Sequence, residues 1–129
     1  MEDRFNEVTE DDLVDIDQIY EEKFAWQDRN GVVGDDFFRY SKAKNLSKAI
    51  STVRDVQILL SFGWAFEAEY NGYVGFIGQA PGEYFIGVEK DGKLYEYRTP
   101  SLDEFGENAK FGPYPLKDVV DKWNVPRLD

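Results

Sequence analysis

The sequence predicts an α+β domain. Two N-terminal helices, over about residues 10–26 and 42–61, precede a four-stranded antiparallel meander over about 63–98, and a short helix over about 116–123 closes the chain. Three observations carry this. Apolar residues recur at helical spacing in the first half and alternate after Gly63. Asn71-Gly72 and Asp91-Gly92 each sit between alternating runs, the strongest short-range hairpin signal. At 129 residues, 42% of them apolar and 16% aromatic, the chain has the length and composition of one domain, residues 1–129, with a real core.

The first helix opens at Thr9, three residues before Asp12, in a capping-box pattern with Asp for the preferred Glu. Leu13, Ile16, Tyr20 and Phe24 form one apolar stripe, with Asp11, Asp15, Gln18 and Glu22 opposite. Turns are expected at 28–31 and 34–36, then a short helical or irregular bridge with Phe37, Phe38 and Tyr40. In the second helix Leu46, Ala49, Ile50, Val53, Val56 and Leu60 share a face, and Gly63 supplies the stop. The two-residue turns set the strand register. Tyr70 should face Tyr73, Ala68 Gly75 and Phe66 Ile77; in the second hairpin Val88 should face Tyr95 and Ile86 Tyr97. Gly75 and Gly87 inside strands suggest a bend or a close backbone approach. Residues 100–115 read as irregular, broken by Gly106, Gly112 and Pro113. The last helix starts after Pro115, with Leu116, Val119, Val120 and Trp123 on one side.

Charge is distributed unevenly. Residues 1–22 hold ten acids and one base, so −9 of the net −11 lies there. One-signed blocks either solvate themselves or face something positive. Here the outward carboxylates Asp11, Asp12, Asp15 and Glu22 are candidate partner-binding residues. Internal neutralisation is the competing expectation, because residues 39–54 carry five bases and no acid. The meander offers a second candidate. Its outer face mixes Val74, Phe76, Phe85 and Leu94 with Glu67, Glu69, Glu89, Glu96 and Arg98. Phe76, Phe85, Leu94, Glu67 and Glu96 form the expected patch, unless residues 100–123 fold over it. That covering is the favoured expectation, since Phe105, Phe111, Tyr114 and Trp123 must bury somewhere.

The chemistry excluded is broad. With no cysteine there is no disulfide, thiolate metal site or thiol nucleophile, and with no histidine the commonest general base and metal ligand are missing. The loop at 28–36 has oxygen ligands without the spacing of a calcium loop. Gly78–Gly82 lacks a phosphate-loop lysine and a following helix. Catalytic and metal-binding residues are therefore expected to be absent, as are cofactors. The acidity disfavours nucleic acid and anionic membrane surfaces. No apolar run reaches spanning length and the first residues do not form a signal peptide, so a cytoplasmic location is expected.

These readings converge on a non-enzymatic acidic protein-binding module. The expected type is an inhibitor or immunity-type protein, of the kind phages and mobile elements encode, that neutralises a basic nuclease or other nucleic-acid-handling partner. The alternative is a small-ligand or peptide binder, with a pocket formed at the aromatic sheet by Gly75 and Gly87 and with Trp64 or Tyr84 at its mouth. A homodimer through the outer strand stays open.

Overall fold

A computed structural model describes residues 21–128. Asp11, Asp12 and Asp15 lie outside the described residues, as does the part of the predicted first helix before residue 21. Residues 21–29 are helical (α1). There follow α2 (Asp35–Ser41), α3 (Leu46–Ala49), α4 (Val53–Ser61), β1 (Phe66–Tyr70), β2 (Tyr73–Ala80), β3 (Glu83–Lys90), β4 (Lys93–Thr99), α5 (Leu102–Asn108), β5 (Lys110–Phe111) and β6 (Tyr114–Pro115). A 3-10 turn, Leu116–Asp118, leads into the C-terminal tail.

The α+β architecture is the one expected, and the sheet order is β1-β2-β3-β4. Every strand pair read from the turns is present, from Phe66 opposite Ile77 to Val88 opposite Tyr95. Asn71 and Asp91 both have φ of 53°, followed by Gly72 at 83° and Gly92 at 82°. Two successive left-handed residues make a type I′ turn, whose twist matches that of the strands it joins. In the middle connection β2 runs on through Gln79 and Ala80, and Pro81-Gly82 alone makes the turn.

The predicted helix over 42–61 is instead two. Thr52 caps α4 and forms a full capping box with Asp55, so the chain breaks between Ile50 and Thr52. The box holds backbone donors that a continuous helix would have turned inward. At the other end Gly63 is left-handed at φ 87°, with Trp64 N–H donating to the Leu59 carbonyl at 3.0 Å and Gly63 N–H to that of Leu60 at 3.0 Å. This is a Schellman stop, at the glycine expected. Of the apolar stripe expected in the first helix, Leu13, Ile16 and Tyr20 lie outside the described residues, and Phe24 does not face inward. Phe24 is 63% exposed, whereas Trp26 is 1% exposed. The inward face runs through Glu22, Lys23, Trp26 and Gln27, because these polar side chains find partners on Tyr84, Gln79 and Ser61.

Residues 100–123 depart most from expectation. They hold helix α5, capped by Ser101, with Gly106 inside it rather than acting as a breaker. A Cβ on Gly106 would lie 2.3 Å from Gln57 Nε2, whose N–H donates to the Leu102 carbonyl at 2.7 Å. Glycine here lets α5 approach α4. The final helix shrinks to a 3-10 turn, yet Leu116, Val119, Val120 and Trp123 bury as one group. The segment does not cover the mixed sheet face. Phe105, Phe111 and Trp123 pack on the opposite, mainly apolar face, where Phe66 and Phe111 each meet Trp123 edge-on at 5.7 Å and Phe105 meets Tyr97 at 6.0 Å. That face, built from Phe66, Ala68, Gly75, Ile77, Ile86 and Val88, offers the larger apolar area, and burial there wins.

Candidate protein-interaction face

Strand alternation places the remaining sheet residues on the outer face. Register aligns Glu67, Phe76, Gly87 and Glu96 in one row across all four strands. A neighbouring row is Glu69, Val74, Glu89 and Leu94; the other is Gly78, Phe85 and Arg98. All five patch residues expected from the sequence, Phe76, Phe85, Leu94, Glu67 and Glu96, therefore share this face. Leu94 is 64% exposed, Val74 48% and Phe76 38%. Apolar side chains this exposed and this close together mark interaction surfaces more often than isolated ones do.

The rings of Phe76 and Phe85 lie 6.0 Å apart at 34°. They lean over Gly78, where a Cβ would stand 3.0 Å from Phe76. Gly87 is different: a Cβ there would meet nothing within 4 Å, leaving a shallow notch between Phe76 and Glu96. Five carboxylates, Glu67, Glu69, Glu83, Glu89 and Glu96, share the face with the single base Arg98. Arg98 is bound by Glu83 and sits 3.5 Å from Glu96, with its guanidinium 5.5 Å from the centre of the Phe85 ring. The face thus already holds one cation over an aromatic ring between carboxylates. Sequence reasoning placed Arg98 on this face but missed that arrangement, although the facing pair Phe85–Arg98 follows from the Asp91-Gly92 turn.

Of the acidic-helix candidates only Glu22 is described, and it is not an open surface charge. It is half-buried and accepts from the Tyr84 hydroxyl at 3.1 Å. Burial, and then the nearby Glu22 charge, push the Tyr84 phenol well above its ordinary pKa. In the basic stretch, Arg39 pairs with Asp55 at 3.1 Å and Arg54 donates to the Asn30 carbonyl at 2.6 Å, while Lys42 lies over Phe38 at 4.9 Å.

The geometry expected for a ligand pocket at the sheet is filled. A Cβ on Gly75 would lie 2.4 Å from Phe111, so this glycine admits a core aromatic. Tyr84 is 3% exposed, and Trp64 packs edge-on against Phe37 at 4.8 Å. An open cleft of about 190 Å³ lies elsewhere, lined by Val53, Gly106, Ala109 and Leu116 among others. It is smaller than the ~300–1,000 Å³ typical of small-molecule sites. Among the described residues no group of three or more Asp or Glu side chains is placed to hold a metal, and no helix is long and apolar enough to cross a membrane. No family model matches the chain, and neither a curated protein nor a solved structure is detectably similar to it.

Proposed function

We propose that this protein is a non-catalytic binding domain for a basic protein, of the inhibitor or immunity type, and that the outer sheet face is its contact surface. The observation that carries the reading is the exposed Val74–Phe76–Leu94 surface set among Glu67, Glu69, Glu89 and Glu96. An apolar centre with a charged rim is the usual anatomy of a protein interface. The rim's sign, together with the net −11, selects a basic partner such as a nucleic-acid-handling protein.

The test is affinity capture from the native host, followed by association kinetics of the captured partner. The double variant Glu67→Lys/Glu96→Lys should slow association about tenfold and reduce its salt dependence, because rim charges act on encounter rate. Phe76→Ser should speed dissociation. Glu107→Lys on α5, which packs on the side of the sheet opposite the outer face, is the control and should leave both rates unchanged. A partner that binds the sheet-face variants and the wild type equally would refute the proposal.

A further inference from the structure

The two edges of the sheet are treated differently. Along β1 the tail pairs antiparallel: Glu69 N–H donates to the Asn124 carbonyl at 2.8 Å and Asn124 N–H to that of Glu69 at 2.9 Å, with Leu128 bridging to Phe66. That edge is covered by the chain itself. Along β4, among the described residues, no backbone group pairs on the outer side. Natural sheets blunt such edges with proline, bulges, very short strands or charged side chains. β4 has only the last of these, in Lys93, Glu96 and Arg98; it is seven residues long and in unbroken register with β3.

We propose that the β4 edge pairs antiparallel with β4 of a second copy of this chain, in the two-fold register centred on Tyr97. Hydrogen-bond alternation identifies the available groups. A two-residue turn makes Lys90–Lys93 a hydrogen-bonded pair, so the backbone of Tyr95, Tyr97 and Thr99 is engaged with β3. The backbone groups of Leu94, Glu96 and Arg98 then point out of the sheet. The first hairpin obeys the same rule, since Glu69 is the β1 residue that reaches Asn124.

Two copies can meet only in registers that oppose these outward residues. Centred on Glu96, the pairing would set Glu96 against Glu96, and like charges directly opposite are destabilising. Centred on Tyr97, it sets Glu96 of each copy against Arg98 of the other, twice, with Tyr95 facing Thr99. Pro100, which has no N–H, ends the ladder where α5 is about to begin. The strand's own charge disfavours a basic partner at this edge, and the two Glu96–Arg98 pairings select a second copy. Lys93, Glu96 and Arg98 give β4 a net charge of +1 in a chain of −11. This pairing shares Glu96 with the outer face proposed for the partner, but its backbone ladder does not require that partner.

So short a ladder falls short of the ~1,000 Å² of a stable interface, so the dimer should be weak and form only towards about 1 mM. Sedimentation of the full chain up to about 1 mM should therefore show a dimer fraction rising with concentration. Glu96→Pro removes an N–H that bonds nothing in its own sheet; this variant should melt as a folded protein and remain monomeric. Glu96→Arg and Arg98→Glu should each weaken the dimer about tenfold, since two facing pairs become repulsive. The exchange Glu96→Arg/Arg98→Glu should restore it, a readout that does not depend on the proline variant folding. A chain that is monomeric throughout, a dimer indifferent to Glu96→Pro, or an exchange that fails to restore association would overturn the proposal.

Discussion

Asp55 should be the costliest single carboxylate to remove among the described residues. It is 9% exposed, at the start of α4. One of its oxygens accepts from Ser51 N–H at 3.1 Å, Thr52 N–H at 2.9 Å and the Thr52 hydroxyl at 2.8 Å. The other accepts from the Tyr40 hydroxyl at 2.6 Å and Arg39 at 3.1 Å. Asp55→Ala removes a capping interaction of about 1 kcal/mol. It also strands the hydroxyl proton of Tyr40, a residue only 1% exposed, at about 1–3 kcal/mol. The sum is about 3 kcal/mol. With an m-value of about 1.5–2 kcal/mol/M, the urea midpoint should fall by about 1.5–2 M at unchanged m. Tyr40→Phe should cost about 1.5 kcal/mol alone. Because the two groups share one hydrogen bond, the double variant should lose about 1 kcal/mol less than the sum. A loss below about 1 kcal/mol for Asp55→Ala, or additivity within ~0.3 kcal/mol, would refute the reasoning.

Two strand glycines should respond in opposite ways. Gly75→Ala drives a methyl group into Phe111 and should lower stability by about 1–3 kcal/mol in urea unfolding. Gly87→Ala meets open space at a backbone without positive φ, so stability should hold or rise by about 0.5 kcal/mol. Tyr40 and Tyr84 both have raised pKa values, through burial first and then their carboxylate neighbours Asp55 and Glu22. Above pH ~10 the unfolded chain ionises these phenols while the fold retains their protons. The unfolded state then binds fewer protons, so stability is complete below pH ~10 and declines above it, by up to about 1.4 kcal/mol per pH unit for each tyrosine. Urea midpoints from pH 9 to 11 should show this, and Tyr40→Phe should flatten the decline by about half.

The sheet was legible before any coordinates because its information is local. Asn71-Gly72 and Asp91-Gly92 each set a turn type, the turn sets register, and register sets which side chains share a face. The five patch residues were found in this way. Helix ends carried local signals too. Gly63 is one such stop, and Thr52-x-x-Asp55 is a start signal that marks the break after α3, which the apolar spacing alone hides. Phe24 and Trp26 show where locality fails. Either could have led the buried stripe of α1, and the choice fell to hydrogen-bond partners on Ser61, Gln79 and Tyr84, which are remote in sequence.

By itself, then, the sequence determined the α+β class, the strand register and the membership of the two sheet faces. Each of these follows from chain geometry over a few residues. Which face would be covered was decided only by tertiary structure. Phe105, Phe111 and Trp123 had an apolar face and a carboxylate-bearing one available, and they went to the first. Burying the second would have meant desolvating its glutamates, at a cost that exposed ion pairs do not repay. Among the described residues the outer face is therefore left open by the same energetics that close the core.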